Sequence, residues 1–273
     1  MPELPEVETV RRRLQPHVAG RVLAEVQVLD HLLTAPEPPA VVAARLEGAR
    51  IDTLGRRGKY LIAELDDGAA LLIHLRMTGN LRWLAGPPHE PLRFLRAWAR
   101  LDDGSYLGYT DARRFGTWRI AEDGAEEWLA GKLGPEPLGT WAAADMARSF
   151  AGRRAPVKAA LLDQKVVAGV GNIYADEALW AARIHPSAPA GRLSRPRIVR
   201  LHAAVIAALE QAIEAQGSSI RDFRTPDGGY GSAQERLQAY GRGGEPCERC
   251  GTILRRTVIA QRGTTYCPKC QRF

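Results

Sequence analysis

Lys59-Tyr60-Leu61-Ile62-Ala63-Glu64-Leu65-Asp66-Asp67-Gly68-Ala69-Ala70-Leu71-Leu72-Ile73-His74 is the stretch that decides the architecture. Two apolar period-two runs flank Asp66-Asp67-Gly68, and an Asp-Gly pair supplies the positive φ angles that a tight hairpin turn needs. It therefore predicts antiparallel strands at 59–65 and 70–77. Asp102-Asp103-Gly104 repeats the signal between strands expected at 93–101 and 105–110, and period-two segments also fall at 21–29, 49–53 and 117–121. A helix precedes them over 5–18, where Val7, Val10, Leu14 and Val18 share a face and Gly20 marks the end; a short helical pattern at 41–46 interrupts them. Beyond Ala125 the period turns helical, with helices expected at 142–151, 156–164, 172–183 and 195–216. A polar, glycine-rich stretch at 217–232 and a short helix at 233–240 follow. The fold class is α+β: an antiparallel β-sandwich domain with flanking helices over 1–130, a Gly/Pro-rich linker at 131–139, a helical domain over 140–241 and a cysteine module at 242–273. The 217–232 stretch is long for a compact domain, so it is either a functional lid or partly disordered.

Charge narrows the class of partner. The 273 residues are 45% apolar and 25% charged, with a net charge of +7, which favours a polyanion without naming one. No apolar run approaches the ~20 residues of a membrane span and no signal-peptide pattern opens the chain, so a cytoplasmic monomer is expected. All four cysteines lie in the last 27 residues, as Cys247-x2-Cys250-x16-Cys267-x2-Cys270. Two such knuckles suit one tetrahedral, four-thiolate zinc ion in a closed structural site. Between them two strands are expected at 253–260 and 264–266, with a turn at Gln261-Arg262-Gly263 that would put Arg262 at the tip. Six Lys/Arg against one Glu between Cys247 and Phe273 make this a basic finger that suits a nucleic-acid groove.

Chemistry is concentrated at the N-terminus, Met1-Pro2-Glu3-Leu4-Pro5-Glu6-Val7-Glu8. Trimming of Met1 would leave the secondary amine of Pro2, which can add to a sugar aldehyde carbon and give an iminium, an electron sink for elimination. An α-amino group has a reference pKa of about 7.7–8.0, so on the order of a tenth of it is neutral at pH 7. Glu3 stands beside it as a proton donor. The same residues also make an ordinary helix start, with Pro5 in the first turn and Glu6 and Glu8 at its positive end. Downstream, Val170-Gly171-Asn172 joins two helical patterns, with Asn172 where an N-cap belongs; free N–H groups there suit a phosphate or simply a helix junction. Gly58-Lys59 in a cationic turn, Met77 beside a turn after His74, and Arg113-Arg114-Phe115 between strands place apolar wedges next to arginines. Enzymes that extrude a base need such a combination, although Met77 and Phe115 equally suit a core. His74 reads as structural.

Assembled in this order, the motifs resemble those of bacterial formamidopyrimidine-DNA glycosylases over nearly the whole length. They comprise Met1–Glu6, Gly58–Leu61, His74–Gly79, Asp111–Gly116, Val170–Glu177, Tyr240-Gly241-Arg242 and the cysteines with Gln261-Arg262-Gly263. The resemblance implies a β-sandwich followed by a helix–two-turn–helix domain and a zinc finger, with duplex DNA containing oxidised purines or abasic sites across a cleft. It implies glycosylase and AP lyase activity, with Pro2 attacking C1′, Glu3 protonating the sugar oxygen, Lys59 serving β-elimination and Arg262 holding phosphate for δ-elimination. It also implies that Met77, Arg113 and Phe115 fill the gap left by the extruded nucleotide, and that Arg153, Lys158 and Asn172 contact DNA. His89 would be the DNA-contacting histidine ahead of the Arg-Arg-Phe loop, although segment 92–100 is long and Phe94 competes for that place. The capping loop at 225–234 reads Gly-Tyr-Gly-Ser where some members have Gly-Tyr-Phe. Leu4 and the Arg113–Phe115 loop favour the purine branch over the pyrimidine-preferring endonuclease VIII branch. A non-catalytic DNA-binding zinc protein is the remaining alternative.

Overall fold

Both Asp-Asp-Gly turns close antiparallel hairpins, with Gly68 and Gly104 at φ 89° and 85°. The computed structural model describes residues 1–88 and 90–273; the histidine expected to contact DNA, His89, lies outside them. The chain divides into two units, Met1–Ala130 with Ala215–Ser232, and Gly131–Glu214 with Ala233–Phe273.

The first unit runs α1 (Leu4–Val18), β1 (Leu23–Val28), α2 (His31–Thr34), α3 (Pro39–Leu46), β2 (Ile51–Arg57), β3 (Tyr60–Leu65), β4 (Ala70–His74), β5 (Gly79–Leu84), β6 (Leu95–Leu101), β7 (Tyr106–Asp111), β8 (Thr117–Ala121) and α4 (Ala125–Leu129). Two four-stranded antiparallel sheets form, in the orders β1-β6-β7-β5 and β2-β3-β4-β8. Val26, Ala97, Leu101 and Tyr109 from one sheet and Leu61, Leu71, Ile73 and Trp118 from the other share a core with Val7, Val10, Leu14 and Val18 of α1. Each such aliphatic side chain removed from water stabilises the unit by about 1.5–3 kcal/mol.

Two expectations need correction. The sequence pattern gives no strand at 79–84, yet β5 forms there: it begins on Gly-Asn straight after a turn, and its partner β7 is far away in sequence. The strand expected at 49–53 runs on as β2 through Gly55-Arg56-Arg57, where Arg57 pairs with Tyr60 and leaves Gly58-Lys59 as the turn. Segment 215–232 is ordered against this unit rather than loose. Trp83 N–H donates to Pro226 O (3.0 Å), Arg224 N–H to Asn80 Oδ1 (3.0 Å) and Asn80 Nδ2 to Asp222 O (3.1 Å), while Phe223 enters the core. The segment thereby covers the edge of β5, where unpaired backbone groups would otherwise face solvent.

In the second unit α5 (Ala143–Phe150), α6 (Val157–Leu162), α7 (Asn172–Ala181) and α8 (Arg195–Glu214) are followed by the hairpin of β9 (Arg255–Ile259) and β10 (Arg262–Tyr266). The helix expected at 233–240 shrinks to one 3₁₀ turn at Ala233–Arg236. Its later N–H groups are taken instead by the buried Glu177 carboxylate, which accepts from Gln238, Ala239 and Tyr240 at 2.8–2.9 Å.

Candidate functional site

Glu3 is the N-cap of α1 and is 2% exposed; its own N–H donates to Glu6 Oε2 at 2.7 Å. The other oxygen of Glu6 accepts the Ser218 N–H at 2.8 Å, tying the start of α1 to the 215–232 segment. Pro2 is buried next to Met1, which is half-exposed. While Met1 is attached the Pro2 nitrogen is an amide; its removal uncovers the amine. One turn further on, Glu8 receives Arg11 (2.7 Å), Arg12 (2.7 Å) and Arg56 (3.0 Å). Burial raises the Glu8 carboxyl, but the hydrogen bonds from these three guanidiniums outweigh it and hold it at about 2. Arg56 also donates to Gly58 O at 2.9 Å, so one buried ion pair braces the turn carrying Lys59 against α1. Lys59 is itself 6% exposed. His74 accepts the Arg76 N–H through Nδ1 at 3.0 Å. Burial, then the charges of Arg76 and Lys59, push it down to about 3 and keep the imidazole neutral.

The wedge candidates sit on two adjoining loops of the same unit. Met77 is partly buried, Phe115 is half-exposed, and the exposed Arg113 guanidinium lies 4.7 Å from the centre of the Phe115 ring. Between them Arg114 adopts φ 59° and is turned back by the buried Asp30, which grips it at 2.6 and 2.8 Å. Arg113 and Phe115 are left facing solvent. A buried Asp111 carboxylate underlies both loops.

In the second unit Arg262 is exposed, but it is not in the turn. Ala260-Gln261, at φ 48° and 58°, form a two-residue turn, and Arg262 opens β10 opposite Ile259. The next carbonyl, Gly263 O, accepts from Lys158 Nζ and Asn172 Nδ2, each at 3.0 Å. Lys158 is 0% exposed, also donates to Thr264 Oγ1 (2.8 Å) and forms an ion pair with Asp176 (2.7 Å), so its ammonium is engaged inside the protein. Asn172 is the first residue of α7, and Gly171, not Asn172, is the N-cap. Arg153 is half-exposed and bonds Ser149 O (2.7 Å) and Asp163 (3.1 Å). Sequence reasoning placed Glu6 at the helix start but missed Asp111, Asp176 and Glu177 as organisers; for the last two the signal is a carboxylate pair in an apolar helical surround.

The four cysteine sulfurs lie within 4.8 Å of one another, and those of Cys250 and Cys267 are 3.5 Å apart. Tetrahedral Zn–S bonds of about 2.3 Å bring sulfurs to nearly this separation, so the thiolates fit a single zinc ion. Trp180 Nε1–H points at Cys247 Sγ (3.4 Å) and Cys270 N–H at Cys267 Sγ (3.3 Å), the outer contacts that stabilise thiolate ligands. With four protein ligands the site is structural, pinning the base of the Arg262 hairpin.

Three family models match in sequence order: the formamidopyrimidine-DNA glycosylase N-terminal domain over residues 1–118, the formamidopyrimidine-DNA glycosylase H2TH domain over 133–224, and a zinc finger found in FPG and IleRS over 244–272. The chain is 46% identical over 275 residues to the formamidopyrimidine-DNA glycosylase of Symbiobacterium thermophilum, covering 99% of this chain and 89% of that one. To the Chloroflexus aurantiacus protein of the same name it is 44% identical over 272 residues, with 99% and 98% covered. Among solved structures it is similar to Lactococcus lactis Fpg in complex with DNA containing an abasic site (TM-score 0.91, 36% identity, 99% and 100% covered). It is also similar to the MutM (FPG) protein of Thermus thermophilus (TM-score 0.88, 43% identity, 99% and 98% covered).

Proposed function

This chain belongs to the formamidopyrimidine-DNA glycosylase family, and on that premise we propose that it removes oxidised purines from duplex DNA and then cuts the strand at the abasic site. Once Met1 is removed, the Pro2 nitrogen attacks C1′ of the damaged nucleotide, the glycosidic bond breaks, and the base leaves with its electron pair and takes up a proton. Glu3 donates a proton to the ring oxygen as the sugar opens to the iminium. Loss of a C2′ proton then expels the 3′-phosphate, a step that Lys59 serves. Arg262 holds phosphate for the second, δ-elimination on the other side. Met77, Arg113 and Phe115 occupy the space vacated by the nucleotide, while Asn172, Arg153 and the basic hairpin contact the backbone. Lys158 works from inside the protein, through Gly263 O. The enzyme acts in the cytoplasm, where its substrate lies.

The carrying observation is a buried carboxylate, Glu3, held at the head of α1 immediately beside the one backbone nitrogen that trimming turns into a nucleophile. Borohydride trapping tests it. Correctly processed protein on an 8-oxoguanine:cytosine duplex is expected to give a covalent adduct at Pro2. No adduct, or one on a lysine, overturns the mechanism. The purine reading further requires faster excision of 8-oxoguanine opposite cytosine than of thymine glycol.

A further inference from the structure

We propose that Asp111 is a positioning residue that locks the Met77 turn and the Arg113–Phe115 loop into one block, so that the three wedge side chains enter the duplex together. The inference deepens, and rests on, the base-extruding function just given. Asp111 is the last residue of β7 and is 1% exposed. Its Oδ1 accepts the Thr78 hydroxyl, from the turn after Met77, and the Arg113 N–H at 3.1 Å. Its Oδ2 accepts the Gly116 N–H at 2.7 Å, beyond Phe115. Arg113 N–H also reaches Thr78 Oγ1 at 3.1 Å, so the two loops share one carboxylate and one hydroxyl.

The packing around this knot leaves little slack. The buried Tyr109 hydroxyl sits where a Cβ on either Gly79 or Gly116 would have to go, so both loops must close over it with glycine. Burial, and secondarily the Asp111 charge, raise the Tyr109 hydroxyl well above its ordinary range and keep it neutral. On the outer side, Arg96 Nε donates to Asp111 O at 2.9 Å, and Asp30 holds the left-handed Arg114. Wedges on independent loops would each have to be ordered as a base leaves the stack. Wedges on one preformed block have met that entropy cost on folding.

Asp111→Asn keeps the shape but puts an N–H₂ against either Gly116 N–H or the Thr78 and Arg113 donors. Two readouts separate the lock from the function it serves. In free protein, amide hydrogen exchange at Arg113 and Gly116 is expected to accelerate in Asp111→Asn, with core amides unchanged; unaltered exchange at both sites overturns the lock whatever the DNA assays give. On DNA, single-turnover release of 8-oxoguanine from a paired duplex is expected to fall by about a hundredfold, as a misplaced contact of about 1 Å can cost. Cleavage of a preformed abasic site, where no stacked base must be extruded, is expected to change by no more than about twofold. Equal losses on both substrates, or none on either, overturn the positioning role. Thr78→Val is expected to reproduce the split and Thr78→Ser to abolish it. A wild-type protein inactive on both substrates refutes the functional reading, while the exchange measurement still decides the lock.

Discussion

Glu8 gathers the guanidiniums of Arg11, Arg12 and Arg56 in the second turn of α1. Its place in the first turns of a helix was legible, and so was its suitability for the positive helix end. Its use was not: α1 packs on β2, and that non-local contact puts Arg56 beside it with both side chains less than a tenth exposed. The sign of the pH effect follows from the low native value. An unfolded Glu8 titrates near 4.5 and the folded one at about 2, so its stabilisation is fully present above pH 4.5 and is lost as pH falls from there toward 2. Glu8→Gln is expected to flatten that acid limb in urea melts at stepped pH. At pH 7 it should cost about 3 kcal/mol, because it leaves the buried Arg56 without its charge partner. An acid limb as steep as the wild type's would remove Glu8 from the account. The same variant should slow β-elimination while leaving borohydride trapping intact, since Arg56 also braces the turn that presents Lys59.

The hairpin that carries Arg262 is the corresponding case for an element. Its two CxxC knuckles were readable because metal geometry is written in local spacing. The exact turn was not, because Ala260 and Gln261 adopt left-handed conformations that no glycine announces. β5 escaped notice for another reason: strand pairing across the chain, not local pattern, makes it a strand. Two devices fix the hairpin, zinc at its base and the Lys158–Asp176 pair behind its tip. Removing zinc with a strong chelator is expected to unfold the finger and abolish DNA binding while the circular dichroism of the sandwich persists; activity retained by fully zinc-free protein would contradict this. Lys158→Met strands a buried carboxylate and is expected to cost about 3–5 kcal/mol, whereas Lys158→Met with Asp176→Leu should recover most of that. If the charge pair serves only stability, the double variant also regains δ-elimination. If it sets the hairpin, the β-product accumulates as it does in Arg262→Ala. Gel resolution of the two cleavage products distinguishes the cases.

For the molecule as a whole, the net charge of +7 announced a polyanionic partner without saying which of 38 Lys/Arg would meet it. Some are committed internally: Arg11 and Arg56 to Glu8, and Lys158 to Asp176. Counting positive charge therefore overstates the phosphate contacts, and salt dependence measures the true number. Each neutralised phosphate contributes roughly −0.9 to the slope of log K against log salt concentration. With the internally paired residues excluded, substitution of an exposed contact should reduce that slope by about one and substitution of a buried one should not. Fluorescence anisotropy with a reduced abasic-site duplex at several salt concentrations makes the comparison. Arg262→Ala is expected to flatten the slope by about one unit. Lys158→Met is expected to weaken binding with the wild-type slope retained. A slope change for Lys158→Met equal to that of Arg262→Ala would put the Lys158 ammonium on a phosphate and remove it from the interior role that its burial assigns.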